Sequence, residues 1–326
     1  LPDGADFEVI HEFNSYPVGS HPFGQLTSGG DGFLYGTTDQ GGINGMGSAF
    51  RIRYNGSDFQ VLHNFETGGG SNPYSGLLPG GDGYLYGTAS GGGSGFGVIY
   101  RMLPDGTGYQ VLHQFDNTNG AYPSSTLILG GDGLLYGVTW GGGSNFGVVY
   151  RLQPDGTGFQ VIHQFNNSSG HFPSSALTSG GDGYLYGTTP YGGNAGVGVI
   201  YRLHPDGSGF SVVHHFDYAV ENGAQPYAGV IFPGDGYLYG TAQYGGSGFL
   251  GSGCVYRMLP DGSGFDVMHV FSGSDGATVQ AGLVSGNDGY LYGVTSQGGV
   301  GFGTLYRLHH DGTGFEVLRY LNENEA

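Results

Sequence analysis

Residues 82–88 read Asp-Gly-Tyr-Leu-Tyr-Gly-Thr, and this phrase decides the fold because the chain repeats it. A Tyr-Arg pair follows the phrase, as at Tyr100-Arg101, and a third phrase comes next, as over 105–113. Successive copies of the first phrase begin 50 to 53 residues apart. Periods of about that length are typical of propellers and solenoids. The six copies begin at Asp31, Asp82, Asp132, Asp182, Asp235 and Asp288.

Each repeat predicts four antiparallel strands, which in the second repeat are expected at 75–78, 84–89, 97–103 and 109–115. Glycines alternate there with aromatic or β-branched residues, and no segment has a helical period. Gly-Gly-Asp-Gly would join the first two strands and Pro-Asp-Gly-Thr-Gly the last two, and both are tight-turn sequences. Six such repeats predict an all-β fold, a six-bladed β-propeller.

The predicted propeller is a single domain over residues 1–326. The strand-four phrase occurs seven times, so residues 5–13 are expected to form an extra closing strand, and pairing of the two termini would close the ring. An open solenoid is the alternative, but it would need capping repeats, which neither end shows. The predicted repeats span approximately 24–65, 75–115, 125–165, 175–216, 228–271 and 281–321.

The composition is that of an ordered chain and argues against several partners. The 73 Gly and 14 Pro alone would indicate disorder, but aromatic residues make up 14% and charged residues only 10%. The net charge is −18 and all cations are Arg, so neither nucleic acid nor an anionic membrane is an expected partner. No apolar run is long enough to cross a bilayer. The lone Cys254 predicts that the chain has no internal disulfide. We separately expect a monomer.

The repeated phrase, followed by Gly-Gly-x-x-x-x-Gly and later by Phe-x-Val-[Ile/Leu]-His-x-Phe, resembles the GloVer tandem repeat over about 24–321. The resemblance implies an extracellular protein and supports a propeller, but it transfers no catalytic residues. The chain is also similar to secreted fungal propellers, among them hetero-Diels–Alder cyclases of tropolone-sesquiterpene pathways. No anchoring tail follows at 323–326, which predicts a free secreted protein. Candidate glycosylation sequons occur at Asn55, Asn166 and Asn167.

Residues that recur in every repeat are predicted to be scaffold. Six of the eight Arg share one repeat position and are expected to pair with Asp, which leaves Arg53 and Arg319 for function. Six His share another position on separate outer strands, too far apart to bind one metal ion. Glu66, Asp116 and Asp217 share a third, predicted to cap loops, with weak calcium binding as the alternative. We therefore predict no metal site and no cofactor.

The variable links between strands are predicted to carry the functional site. Antiparallel order places both tight turns at one end of a blade and both long links at the other, where the repeats differ. Aromatic residues with polar tips suit an uncharged, partly aromatic ligand or a sugar. The predicted catalytic or orienting residues are Trp140, Tyr191, Tyr244 and His171. The predicted ligand-binding residues are His21, Phe23, Tyr74, Tyr122, Phe172, Tyr227, Gln243, Asp39, Gln40 and Gln297.

Several functions fit such a site. The preferred one is a cofactor-free cyclase that catalyses a hetero-Diels–Alder cycloaddition, which needs orientation and hydrogen bonds but no nucleophile. The alternatives are a glycan-binding module, or a glycoside hydrolase or lyase that uses Asp39 or Glu221. The fourth possible function is that of an interaction scaffold without a small ligand.

Overall fold

The computed structural model describes residues 7–13, 16–218, 222–245 and 251–322. These residues form six antiparallel sheets, one per repeat, and the chain is the predicted six-bladed β-propeller. None of them belongs to a helix that is long and apolar enough to span a membrane. The chain divides into two compact units, residues 9–165 and residues 1–8 with 166–326. A single domain over 1–326 stays a prediction.

The first unit, residues 9–165, contains blades 1 to 3, each a four-stranded sheet in which strands adjacent in sequence pair. Blade 1 contains β1 (Thr27–Ser28), β2 (Phe33–Thr38), β3 (Ser48–Arg53) and β4 (Gln60–Asn64). Blade 2 contains β5 (Leu78–Pro79), β6 (Leu85–Ala89), β7 (Val98–Met102) and β8 (Gln110–Gln114). Blade 3 contains β9 (Ile128–Leu129), β10 (Leu135–Thr139), β11 (Val148–Leu152) and β12 (Gln160–Gln164).

The second unit contains blades 4 to 6, and in blade 5 the first strand is reduced to one bridge between Ile231 and Tyr239. Blade 4 contains β13 (Thr178–Ser179), β14 (Leu185–Thr189), β15 (Val199–Leu203) and β16 (Ser211–His215). Blade 5 contains β17 (Leu238–Ala242), β18 (Cys254–Met258) and β19 (Asp266–Val270). Blade 6 contains β20 (Val284–Ser285), β21 (Tyr290–Val294), β22 (Thr304–His309) and β23 (Glu316–Tyr320).

The repeated Asp holds the turn before the second strand of each blade, as predicted. In blade 2, Asp82 Oδ1 accepts a hydrogen bond from the backbone N–H of Tyr84, and Asp82 Oδ2 accepts one from the Tyr86 hydroxyl at 2.6 Å. The same pair of contacts occurs in the other five blades. A carboxylate in this turn therefore satisfies a loop amide and a buried phenol together.

Glycine in the repeated phrase lets an aromatic ring lie across the sheet. Gly87 on β6 pairs with Tyr100 on β7, and a Cβ at Gly87 would lie 2.4 Å from the Tyr100 ring. The core forms where blades meet, and Tyr35 of blade 1 packs with Leu77 and Tyr100 of blade 2. Cys254 is fully buried, and burial raises the pKa of its thiol to about 12, so it packs as a small apolar residue.

The prediction that the repeated Arg pairs with Asp is wrong in blade 2, where the partner is Gln. Blades 1 and 3 contain the same Arg–Gln pair. Arg101 lies opposite Gln110 on the outer strand, and both its Nε and its Nη2 donate to Gln110 Oε1. Its Nη1 donates to the carbonyl of Pro154, and its guanidinium lies 4.4 Å from the centre of the Tyr84 ring. Carboxylates take the place of Gln only in the last two blades, as Asp266 and Glu316.

The repeated His is structural, as predicted. His63 stacks on Tyr109 with ring centres 3.8 Å apart, and His113 stacks in the same way on Phe159. His11 makes the equivalent stack on Phe59 at 3.9 Å, although residues 7–13 form no strand. Residues 5 and 6 of the predicted closing strand lie outside the described residues.

Candidate functional site

The two long links of each blade run side by side at the same end. An antiparallel bridge joins the link that enters a blade to the link between its second and third strands, as between Ser71 and Gly91. The arrangement places the two variable segments of each repeat in contact, as the strand order predicted. The equivalent bridges are Ser20–Gln40, Ala121–Gly141, His171–Tyr191, Ala224–Tyr244 and Ala277–Gln297.

One residue in the entering link of every blade has a left-handed backbone conformation, with φ between 55° and 61°. We call these six the left-handed link residues. In blade 3, the carbonyl of this residue accepts a hydrogen bond from the backbone N–H of Trp140, so the two variable residues are neighbours. The left-handed link residues are His21, Asn72, Tyr122, Phe172, Gln225 and Thr278.

Four predicted site residues form one aromatic cluster in the second unit. The hydroxyls of Tyr191 and Tyr227 are 2.5 Å apart, and their rings meet edge to face. His171 stacks on Tyr191, and Phe172 packs edge-on against both. Burial, helped by the phenol of Tyr191, raises the pKa of Tyr227 well above its usual range. Burial also lowers the pKa of His171, so the cluster is neutral near pH 7.

Tyr244 and Gln243 lie in the corresponding link of blade 5. Tyr244 packs against the apolar core of its blade, and the backbone N–H of Gln243 donates to the carbonyl of Gln225. The Gln243 side chain is only 5% exposed, and its Oε1 has no hydrogen-bond partner within the described part of the chain. Gln297 of blade 6 is exposed and accepts a hydrogen bond from Thr278.

In the first unit, Asp39 is the buried centre of a second group of predicted residues. It is 1% exposed, and burial raises the pKa of its carboxyl, although His21 and the Tyr74 hydroxyl act in the opposite direction. Its Oδ1 has no hydrogen-bond partner among the residues described. Exposed Phe23 packs edge to face on Tyr74 with ring centres 5.7 Å apart, and Gln40 is exposed beside Asp39.

Trp140 and Tyr122 form an exposed aromatic pair in blade 3. The two side chains are 42% and 43% exposed. The backbone N–H of Trp140 donates a hydrogen bond to the Tyr122 carbonyl, which holds the two backbone segments together. The Tyr122 ring also lies 6.2 Å from that of Phe96 in the neighbouring link. Large apolar surfaces with polar tips are thus available to a ligand in this blade.

The sequons and carboxylates occupy turns. Asn55 Oδ1 accepts hydrogen bonds from Ser57, and Asn166 Oδ1 accepts them from Ser168, while Asn167 is exposed; glycosylation of these Asn stays a prediction. Asp116 caps its loop as predicted, by accepting from two successive backbone N–H groups. Glu221, the second candidate acid for a hydrolase, lies outside the described residues. Residues 7–13, 16–218, 222–245 and 251–322 hold no group of three metal-ligating side chains.

The sequence did not reveal that the variable positions have a common backbone geometry. Asn72, Gln225 and Thr278 are therefore additions to the predicted site. A signal was present, because the residue that follows is Pro in five of the six blades and Val279 in the last. Proline favours extended backbone in the residue before it, so the dipeptide marks the position but predicts a conformation other than the one observed.

The repeat and its links define the chain as a β-propeller with one variable end. It belongs to the Gloeobacter/Verrucomicrobia repeat family, whose model matches residues 1–194 and 141–326, and this confirms the predicted resemblance to the GloVer repeat. No curated protein sequence matches the chain.

Solved structures of several functions are similar in fold. An oligogalacturonate lyase in complex with manganese has a TM-score of 0.61 at 14% identity, over 91% of this chain and 76% of that one. The GH74 xyloglucanase from Xanthomonas campestris has a TM-score of 0.59 at 14% identity, over 86% of this chain and 44% of that one. A putative 6-phosphogluconolactonase from Bacteroides uniformis has a TM-score of 0.55 at 12% identity, over 90% and 82%. At these identities the likeness supports the fold alone.

Proposed function

We propose that this protein is a secreted propeller that binds an uncharged, partly aromatic and hydroxyl-bearing small molecule on its links. The observation that carries the proposal is the cluster of His171, Phe172, Tyr191 and Tyr227, in which aromatic rings surround two partly buried hydroxyls that share a hydrogen bond. Flat apolar surfaces with a few polar groups are the usual chemistry of small-molecule sites.

The distribution of charge supports an uncharged ligand. Arg53 pairs with Asp58 at 2.6 Å, and Arg319 lies over the ring of Phe7. The other six Arg donate hydrogen bonds to side chains of the outer strands, so these cations are committed to the scaffold. With a net charge of −18, an anionic ligand would meet repulsion and few charged partners.

Fluorescence titration with 4-methylumbelliferyl β-D-glucoside and β-D-galactoside tests the proposal, since both are neutral molecules with an aromatic ring and several hydroxyls. We expect saturable binding to the wild-type protein. Tyr191→Ala removes an aromatic surface and should weaken binding about tenfold, and Tyr227→Phe removes one hydroxyl and should weaken it about threefold.

The control is Tyr54→Ala, which removes an exposed Tyr from the tight turn between β3 and β4. It should leave binding unchanged. Equal weakening by Tyr54→Ala and Tyr191→Ala, or no binding of either glycoside by the wild-type protein, would contradict the proposal.

The hydroxyl pair also favours a second function, the cofactor-free cyclase. When Tyr191 and Tyr227 share one hydrogen bond at 2.5 Å, the accepting phenol retains its own proton for a ligand oxygen. Such a donor would polarise the carbonyl of a quinone methide as it reacts with an alkene, while the aromatic walls hold both partners together.

Incubation with a quinone-methide precursor and an alkene partner tests the cyclase. We expect a faster reaction and enantiomeric excess in the product, both lost in the double variant Tyr191→Phe, Tyr227→Phe. A racemic product formed at the buffer rate would remove the cyclase and leave the binding proposal in place.

The remaining alternatives differ in the ligand. A glycan-binding module would bind oligosaccharides without the aryl group as tightly as the aryl glycosides. A hydrolase would release 4-methylumbelliferone during the titration, and Asp39→Asn would stop the release. Secretion and a monomeric state are part of the same proposal, as are the absence of a cofactor and the sequons as glycosylation sites.

A further inference from the structure

Blade 6 departs from the repeat at the tight turn between β22 and β23, where it carries His310. The side chain is 26% exposed, and its ring lies beside that of Tyr239 with ring centres 5.2 Å apart. Blades 2 to 5 fold with proline at this position, so the fold does not require a histidine there. The equivalent residues are Pro104, Pro154, Pro205 and Pro260.

The backbone of His310 is held by two groups of blade 5. Its carbonyl accepts a hydrogen bond from Nη1 of Arg257 at 3.0 Å and another from the Tyr239 hydroxyl at 3.2 Å. The carbonyl of Pro260, the equivalent residue of blade 5, accepts the same pair of bonds from blade 4. The contacts of the repeat therefore position the turn, and only the side chain of His310 is new.

The imidazole of His310 lies between a carboxylate and a hydroxyl. Its Nδ1 is 2.8 Å from Asp235 Oδ2, and its Nε2 is 3.4 Å from the Oγ of Ser285, the last residue of β20. A carboxylate only accepts hydrogen bonds, so Nδ1 carries the proton and Nε2 presents its lone pair to the hydroxyl. All three residues belong to the second unit.

Asp235 is fixed in its position at the turn before β17. Its Oδ1 accepts from the backbone N–H of Tyr237, and its Oδ2 accepts from the Tyr239 hydroxyl at 2.7 Å. Burial acts to raise the pKa of Asp235, but these hydrogen bonds and the one from His310 outweigh it and lower the pKa. The group is therefore a carboxylate at neutral pH, as the orientation of the imidazole requires.

We propose that Ser285, His310 and Asp235 form a catalytic triad that hydrolyses neutral esters of short carboxylic acids with phenols. Ser285 Oγ attacks the ester carbonyl as its proton passes to His310 Nε2, and the phenol leaves with that proton. Water then attacks the acyl-serine and gives a proton to Nε2. The carboxylic acid departs as this proton returns to Ser285 Oγ. Asp235 is a positioning residue, which orients the imidazole and stabilises its protonated form.

The surroundings of the triad favour this class of ester. Ser285 is exposed at the tight-turn end of blade 6, so a short acyl group reaches it without entering a deep pocket. A phenol is a good leaving group and needs little help from the imidazole, whose distance to the hydroxyl must shorten when substrate binds. With a net charge of −18, an anionic ester would be repelled.

The release of 4-methylumbelliferone from 4-methylumbelliferyl acetate measures this activity. We expect saturable hydrolysis by the wild-type protein, and a kcat about 100-fold lower in Ser285→Ala and in His310→Pro. His310→Pro introduces the residue of blades 2 to 5 and should keep the melting temperature. The matched control is Ser179→Ala, which removes an exposed serine from the same position of blade 4, where Pro205 replaces the histidine. It should hydrolyse the acetate as fast as the wild-type protein.

Asp235→Asn tests the positioning role. It should lower kcat about tenfold or more and leave KM unchanged, because it releases the imidazole and alters no contact with substrate. The matched control is Asp182→Asn, which breaks the same turn hydrogen bonds in blade 4, where the equivalent of His310 is Pro260. It should lower the melting temperature as much as Asp235→Asn and keep kcat. Equal losses of kcat in the two variants would show a structural role only and would overturn the triad.

Diisopropyl fluorophosphate identifies the nucleophile directly. Ser285 Oγ should form a bond to phosphorus with loss of fluoride, and mass spectrometry should find the diisopropylphosphoryl group on the peptide that contains Ser285. His310→Pro should remain unlabelled. Hydrolysis by Ser285→Ala at the wild-type rate, or no label on Ser285, would overturn the inference. Glycosides contain no ester, so a failure of glycoside binding and a failure of acetate hydrolysis are separate results.

Discussion

The third-strand tyrosine shows which part of a repeated side chain the fold needs. Tyr100 is fully buried, and its hydroxyl has no hydrogen-bond partner within the described residues. Blade 1 carries Phe50 at the same position, against the equivalent glycine, Gly36. The ring therefore supplies the packing, and the hydroxyl is desolvated without compensation.

Replacement of this tyrosine should stabilise the protein. We expect Tyr100→Phe to raise the free energy of unfolding by about 1 kcal/mol, because it removes a buried unpaired hydroxyl and keeps the ring. Urea unfolding measures the change. The control is Tyr86→Phe, which breaks the hydrogen bond to Asp82 and should lower the free energy of unfolding by about the same amount. A loss of stability in Tyr100→Phe would contradict this account.

Residue roles were predictable from the sequence when the partner is local. The capping role of Asp82 follows from its place two residues before Tyr84 and from the turn glycines around it. The partner of Arg101 was not predictable, because it depends on the register between β7 and β8. Arg101 lies opposite Gln110 only because a β-bulge interrupts that pairing. A bulge shifts the register by one residue and leaves no clear mark in the alternation of residue types.

In blade 2, strands two to four were predicted nearly to the residue, while the first strand was not. The predicted 84–89 corresponds to β6, whereas the predicted 75–78 contains only the beginning of β5. In the rest of the predicted first strand, hydrogen bonds of side chains take the place of backbone pairing. The Ser75 hydroxyl is hydrogen-bonded to the Thr88 hydroxyl, and the Ser75 carbonyl accepts a hydrogen bond from the Thr37 hydroxyl. Alternation of residue types cannot distinguish such contacts from a ladder of backbone bonds.

His63, on the outer strand β4 of blade 1, is expected to make the stability of the protein depend on pH. Burial between blades lowers the pKa of His63 to about 4, from the value of about 6.5 expected in the unfolded chain. Between those pH values only the unfolded state binds the proton, so the free energy of unfolding falls as the pH drops from 6.5 to 4. The stabilisation that comes from burying neutral His63 is complete above pH 6.5 and lost below pH 4.

Removal of the histidine should flatten this dependence. His63→Phe keeps the stack on Tyr109, and unfolding near pH 5 should then take up about one proton fewer. The slope of the free energy of unfolding against pH, measured by urea titration from pH 4 to 7, gives the proton number. The same slope in the variant and the wild-type protein would contradict the assignment.

At the scale of the whole molecule, the repeat sets the fold and the departures from the repeat set the site. The propeller was predictable because one phrase recurs six times at nearly constant spacing. The sequence also singled out four residues that the structure brings together, His171, Phe172, Tyr191 and Tyr227. The shared left-handed backbone and the two unpaired acceptors, on Asp39 and Gln243, depend on φ values and burial, which residue types alone do not specify.

Hydrogen–deuterium exchange with and without saturating 4-methylumbelliferyl β-D-glucoside tests the central claim, that the variable links bind the ligand, most directly. We predict slower exchange in the links of the second unit that carry the aromatic cluster, over 170–173, 190–193 and 224–228. The tight turns, such as 104–108 and 206–209, should exchange at the same rate with and without the glycoside. Slower exchange confined to those turns, or no change anywhere, would contradict the claim.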